Sequence, residues 1–574
     1  MLKNIVIFLF LSFSTLCCVA QNSQQNYEGN WTGTLPNKNS FNFNITLEKL
    51  MSNTYHLVIA NDKIRIDKKL KSSAEDDILI HIDSSTYLHL YDTSVDKFIS
   101  GFIKSGRYFY HIRLERVGEN RYKGNWNAFM VTDGLQSDDI LLAVEGFDDG
   151  TLAAYPFFSD QRFRGAWASH FEKKDIILSF KDDNTGLRYR ALLLDNQIDL
   201  EIYLSDALLT KTRLTRSEID WESFIKQEAT SPIQNTATPA DLDDGWDTGN
   251  ISKFNFNTAE LDRLVADIKN KALINVHSVL IAKENKLIYE HYFDGFNAHI
   301  PHDLRSASKS ISSAMIGIAI DDHLIESVDQ KLYDFLPKEY EYTKDSLKSQ
   351  ISLHDLLTMS SGLDVNNLAA EDYYQNPARK KSWLQTVLEA PMVKEPGTYA
   401  DYGSANPFLL GVCLNQVLGM PLEIYMDKKL FAPLGIANYI NQTDDTETKP
   451  YFGGGMLLTS RDLLKFGQLY LDKGRWKGQQ IISENWVEQS FQKYVRLQDA
   501  RGKNEYGYLW WHDTYIINGK TINSIEARGA GGQFIFILPA LQSVVVITAG
   551  NFRNGKGNQS RTILKDYLLP AMID

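Results

Sequence analysis

Ser306 and Lys309 stand three residues apart at the head of an apolar stretch, Leu304–Ile320. On a helix that spacing puts both side chains on one face. A serine hydroxyl is a poor nucleophile until a base takes its proton. A lysine amine can be that base only when neutral, and burial among apolar neighbours lowers its pKa toward that state. After its first turn the stretch is apolar almost all round, so the helix is expected to be interior. A helix N-terminus there supplies unpaired N–H groups and a field that favours a developing alkoxide. The Ser-x-x-Lys string alone is common; a surface lysine beside a helix-start serine reads the same way.

Two further segments carry chemistry of the matching kind. Tyr402-Gly-Ser404 follows a turn at Lys394–Thr398 and precedes an apolar helix through Phe408. Its phenol could share a proton with the amine and hand it to a leaving group; a Tyr packed at a helix start is the plainer reading. Ala527-Arg-Gly-Ala-Gly-Gly-Gln533 lies just before two apolar strands. Small residues there, Gly529 among them, let a backbone approach a ligand, and a strand edge beside the nucleophile could present the second N–H of an oxyanion hole. Taken alone, it is equally a Gly-rich turn. No Gly-x-Ser-x-Gly elbow, His-Glu-x-x-His or phosphate-binding glycine fingerprint competes. No cofactor or metal is implied, and His302 and His354 read as capping or core hydrogen-bonding residues.

The elements that must position these groups divide the chain. Residues 1–20 read as a signal peptide: Lys3, an apolar run Ile5–Leu16, and Ala20 as the cleavage site. Residues 21–225 form a β-rich domain of unknown role. Its alternation, as in Phe41–Leu47, and its Asn, Asp and Gly turns predict an antiparallel barrel or sandwich. Trp31, Trp126 and Trp167 each close an aromatic-x-Gly-x-Trp pattern at unequal intervals, read as shared strand chemistry. Residues 226–250 have linker composition. Residues 251–574 mix helices and strands: a helix over Ala259–Lys271, a hairpin over Ser278–Phe293 turning at Glu284-Asn285, helix starts at Ser352–Asp355 and Thr459–Asp462, and strands on either side of Pro539. One antiparallel sheet joining the two ends of this domain, with a helical insert, is expected.

Bulk composition narrows the classes. At 574 residues the chain exceeds one core. A net charge of −12 argues against nucleic acid or an anionic membrane as partner, and no stretch reads as a transmembrane segment. With the leader gone only Cys413 remains, expected as a small core residue, so no internal disulfide can form. The expected location is periplasmic or secreted, with lipid anchoring at Cys17 or Cys18 ranked second. A monomer acting on a small-molecule, peptide or ester substrate is expected.

In order and gaps the three elements resemble the serine β-lactamase and penicillin-binding protein superfamily, closest to its class C β-lactamase, D-alanyl-D-alanine carboxypeptidase and family VIII esterase branch. Asp243–Trp246, Leu356–Leu363, Pro396–Thr398 and Gly453–Asp462 add secondary matches, over roughly residues 243 to 570. The resemblance implies a β-lactamase-like C-terminal fold, Ser306 as acylated nucleophile and Lys309 with Tyr402 as the base pair. It also implies that the N–H groups of Ser306 and Ala530 hold the oxyanion. Two positions depart from the family pattern. Tyr-x-Asn ends here in Ser404, and the Lys or His of the third element is Ala527. Loss of that cation argues against a substrate carboxylate as anchor, hence for an ester or amide over a β-lactam or D-Ala terminus. Strand alternation directs Arg528 away from position 527, toward a structural salt bridge. A retired hydrolase scaffold serving a binding function is the reading from another class.

Overall fold

The computed structural model describes residues 27–573 apart from 75–76, 92–96, 132, 161, 164–166, 226–237, 365–370, 372, 377–378 and 499–503. The expected leader, Cys17, Cys18, residues 226–237 of the expected linker and part of the Phe163–Trp167 pattern lie outside the described residues.

From Gly29 to Ser217 the described chain is all strand and turn. The sequence alternation becomes inside–outside alternation: Phe43, Ile45 and Leu47 point inward from the Asn42–Met51 strand, as do Tyr55, Leu57 and Ile59 from its neighbour. Two antiparallel sheets wrap these residues around one apolar core in a nearly closed barrel. Trp31 and Trp126 are buried in that core, Trp126 against Phe43 and Tyr110, whereas Trp167 is exposed.

The C-terminal half is built on a nine-stranded sheet with helices packed on it. The Val276–Lys283 and Lys286–Tyr292 hairpin turns at Glu284 and Asn285, both with positive φ (50° and 63°), the signature of a type I′ turn. Val276–Lys283 pairs antiparallel with Ser543–Ala549, so the ends of the domain meet in one sheet with the helices inserted between. The short Asp247–Thr248 strand pairs in parallel, an exception to the antiparallel pattern. Ser352 caps its helix reciprocally with Asp355, and Thr459 accepts from the Asp462 N–H. Cys413 is fully buried, and burial pushes its thiol pKa up.

One feature was not visible in the sequence. The second sheet of the N-terminal half does not stop at the domain. Three of its eleven strands, His302–Asp303, Tyr439–Gln442 and Met456–Leu458, come from the C-terminal half. Ile440, Asn441 and Gln442 pair with Tyr110, Phe109 and Tyr108. Beside this seam Asp427 is buried and accepts hydrogen bonds from Tyr91 and from Tyr439 (2.7 Å), with His111 Nε2 at 3.3 Å. Asp427→Ala leaves two buried phenols without their acceptor. It should destabilise the chain by about 2–4 kcal/mol in chemical denaturation, whereas a surface carboxylate removed elsewhere stays within about 0.5 kcal/mol.

Candidate active site

The stretch expected to be helical from Leu304 starts differently. Residues Arg305–Ser308 form a 3₁₀ turn, and the α-helix runs from Lys309 to Asp321, with Lys309 through Ala319 buried. The reason is crowding. A Cβ on Gly529 would lie 2.2 Å from the Leu304 carbonyl and 3.1 Å from the Ala307 nitrogen, and Gly454 packs on Arg305 and Ser306 from another side. Arg305 sits at φ 48°, a conformation costly for a residue with a side chain. Strain of this kind persists only where surrounding structure enforces it, and here it falls one residue before Ser306.

Ser306, Lys309, Tyr402 and Ser404 come together. Lys309 Nζ donates to Ser306 Oγ at 2.8 Å, to Ser404 Oγ at 3.1 Å and to the Gly453 carbonyl. The Lys309 side chain is buried, and loss of solvation lowers its pKa to about 8, with the Glu371 carboxylate pulling weakly the other way. The Ser306 side chain lies beside the Tyr402 phenol and favours its charged form, a smaller effect than burial. That phenol is held protonated: burial pushes its pKa well above the ordinary tyrosine value. Its half-buried ring packs at 5.0 Å from Trp511, with Lys309 Nζ 5.4 Å from the ring centre. At pH 7 roughly one lysine in ten is then neutral, against fewer than about one in a thousand for an ordinary lysine.

Gly529 ends the Lys520–Gly529 strand directly against the Ser306 turn, and Ala530 follows in an exposed turn. Ala527, where the related pattern has a cation, is buried among apolar side chains. Arg528 is held in ion pairs with Glu526 (2.7 Å) and Asp513 (2.9 Å), over the Trp511 ring. His302 and His354 make core hydrogen bonds, to His277 and to the Tyr508 hydroxyl, both 2.8 Å.

Sequence reasoning missed several participants. The Gly453 carbonyl holds the amine, but a backbone group leaves no mark in residue type; only the run Gly453-Gly-Gly455 hinted at a special loop. Tyr451 lies beside Ser404. Its hydroxyl bonds Tyr374 (2.5 Å) and Glu371 (3.4 Å). Trp511 walls the tyrosine. Two of the secondary matches also brace each other: Arg461 pairs with Asp244 (3.1 Å) and with Glu290 (2.5 Å), and Trp246 donates to the Arg461 carbonyl.

An antiparallel sheet closed by both ends of the domain, a helical insert and a Ser-x-x-Lys turn at their junction define a β-lactamase-like hydrolase domain. Residues 261–568 match the Beta-lactamase family model, and the chain belongs to that family. It is 24% identical over 290 residues to a 6-aminohexanoate-dimer hydrolase of Paenarthrobacter ureafaciens, a match covering 46% of this chain and 70% of that one. It is 23% identical to an Escherichia coli K12 protein provisionally named a D-alanyl-D-alanine carboxypeptidase, over 33% of this chain and 48% of that one, so that relative is spanned for about half its length. Among solved structures, one from Bacillus anthracis provisionally named a 6-aminohexanoate-dimer hydrolase aligns with a TM-score of 0.45 at 20% identity, over 54% of this chain and 81% of that one.

Proposed function

We propose that the chain is a serine hydrolase that cleaves an ester or amide bond through an acyl intermediate on Ser306. One observation carries the reading: a buried amine of lowered pKa lies 2.8 Å from a serine hydroxyl at a constricted turn. Neutral Lys309 takes the Ser306 proton as the Oγ–C bond forms. The backbone N–H groups of Ser306 and Ala530 receive the oxyanion. Protonated Tyr402 gives its proton to the departing oxygen or nitrogen as that bond breaks, and is reprotonated from Lys309. Water then attacks the acyl carbon, its proton passes to the same pair, and Ser306 leaves with its hydroxyl restored.

Ester and amide substrates are favoured because, among the described residues, no free cation stands at the third element. Ala527 is apolar and buried, and Arg528 is committed to Glu526 and Asp513. The relative named a 6-aminohexanoate-dimer hydrolase points the same way. Export belongs to the same proposal and rests on Lys3 and the apolar run to Leu16.

The test is covalent labelling by a serine-directed phosphonate, read by intact mass, with turnover of short p-nitrophenyl esters and an amide and β-lactam panel. The expected result is one adduct and ester or amide turnover, both abolished in Ser306→Ala. Adduct and turnover that survive Ser306→Ala, or that are absent from the wild type, overturn the mechanism. Rapid β-lactam turnover overturns the substrate class alone.

A further inference from the structure

Residues 439–458 of the C-terminal half link the N-terminal barrel to the candidate site. Its first strand, Tyr439–Gln442, pairs with Tyr108–Tyr110 of the barrel. Thr443 N donates to the Arg107 carbonyl, and Arg107 Nη2 donates to the Thr443 carbonyl, both at 2.7 Å. The Arg107 guanidinium also covers the Trp383 ring at 4.7 Å, and Trp383 packs on Tyr451 at 5.4 Å. In the following loop Glu447 is held by Lys104 at 3.0 Å, with Lys181 at 3.8 Å.

The same segment then becomes part of the site. Gln442 N donates to the Gly455 carbonyl at 2.6 Å, and Tyr451 N to the Gln442 carbonyl at 2.7 Å. This closes the Tyr451–Gly455 loop, whose Gly453 carbonyl takes the Lys309 amine and whose Tyr451 phenol bonds Tyr374 and Glu371. Met456–Leu458 finally pairs with His302–Asp303, three residues before Ser306. The barrel's own turn is braced in its place. Arg107 N donates to the carbonyls of Asp183 (2.7 Å) and Asn184 (3.0 Å), and Gly106, at φ 58°, leaves no room there for a side chain.

We propose that Arg107, supplied by the N-terminal barrel, is a positioning residue for the hydrolytic site: by clamping Thr443 and Trp383 it fixes the Tyr451–Gly455 loop and so the place of the Lys309 amine. The barrel is then a working part of the enzyme rather than an appended module. The inference rests on the Ser306–Lys309 reading above.

The experiment uses the full chain as wild type, Arg107→Ala and Arg107→Lys. Two readouts are taken: the pH dependence of kcat/KM on a p-nitrophenyl ester, and the pH dependence of unfolding stability in each background with and without Lys309→Met. The second readout reports the titration of Lys309 without requiring turnover. Among the described residues the titratable groups facing that amine are Tyr402 and Glu371, and they are unchanged in every variant. A loosened loop admits water to the amine. Arg107→Ala should therefore lose about 10- to 100-fold in kcat with KM within about threefold, and the Lys309 midpoint should move upward from about 8. Arg107→Lys, which keeps a donor for Thr443, should recover part of both. A merely structural role lowers the folded fraction without moving the midpoint. An unmoved midpoint by the stability readout overturns the inference, whether or not Arg107→Ala is less stable. If Arg107→Ala does not fold, Arg107→Lys decides by the same readout. A wild type that neither labels nor turns over, yet shows the midpoint shift, overturns the hydrolase reading and leaves the positioning relation standing.

Discussion

Lys309→Met should lower kcat/KM by about 10⁴-fold, in the range of losses seen when a general base coupled to a serine nucleophile is removed. Methionine keeps the length and apolar stem of the side chain but removes the group that contacts Ser306, Ser404 and Gly453. Two pH measurements separate this from simple misfolding. In the wild type kcat/KM should climb as pH rises through about 8, because the neutral amine is the active form. Stability should show the matching sign. Below about pH 8 the amine is protonated in both folded and unfolded chains, and the full cost of burying it is present. Between about 8 and the ordinary lysine value of 10.5 the unfolded chain binds the proton and the folded one does not, so stability rises with pH. That rise amounts to about 3 kcal/mol and should be missing from Lys309→Met. Parallel curves for the two proteins would refute the buried, depressed amine.

Gly529→Ala is the second large effect expected. One methyl group would meet the Leu304 carbonyl at 2.2 Å, and backbone cannot swing aside as a side chain tip can. Either the Lys520–Gly529 strand or the Arg305–Ser308 turn must retreat. Either movement separates the Ser306 N–H from the strand end at Ala530. Loss of one oxyanion donor costs about 10²- to 10³-fold in kcat, and the overpacking itself about 1–3 kcal/mol of stability. Gly419→Ala is the control, since nothing lies within 4 Å of a Cβ there; its stability and kcat should stay near wild type. Full activity in Gly529→Ala would show that the strand end is no part of the site.

What the sequence made legible was local. A hairpin turning on Glu284-Asn285, a cap at Ser352–Asp355 and the three-residue spacing of Ser306 and Lys309 are short-range rules, and the fold obeys them. The helix start at Leu304 failed for a reason outside that range: Gly529 and Gly454, distant in sequence, compress the turn. The Gly453 carbonyl, Tyr451 and Glu371 were illegible because a backbone acceptor has no residue signature and buried tyrosines look like ordinary core. Tyr439–Gln442 has only four residues, too few for alternation to register, so the strand that fuses the two halves left no periodic trace.

That short strand also sets the order in which the chain can complete itself. Until residues 439–442 exist, the Tyr108-Phe109-Tyr110 end of the barrel lacks the partner it pairs with in the finished fold. It is an aromatic sheet edge with open hydrogen-bonding groups, the kind of surface on which chains aggregate. Contacts of such sequence separation form slowly. A nascent or truncated chain ending before them therefore carries its most adhesive surface uncovered, and its yield should depend on holdase chaperones more steeply than that of the whole protein.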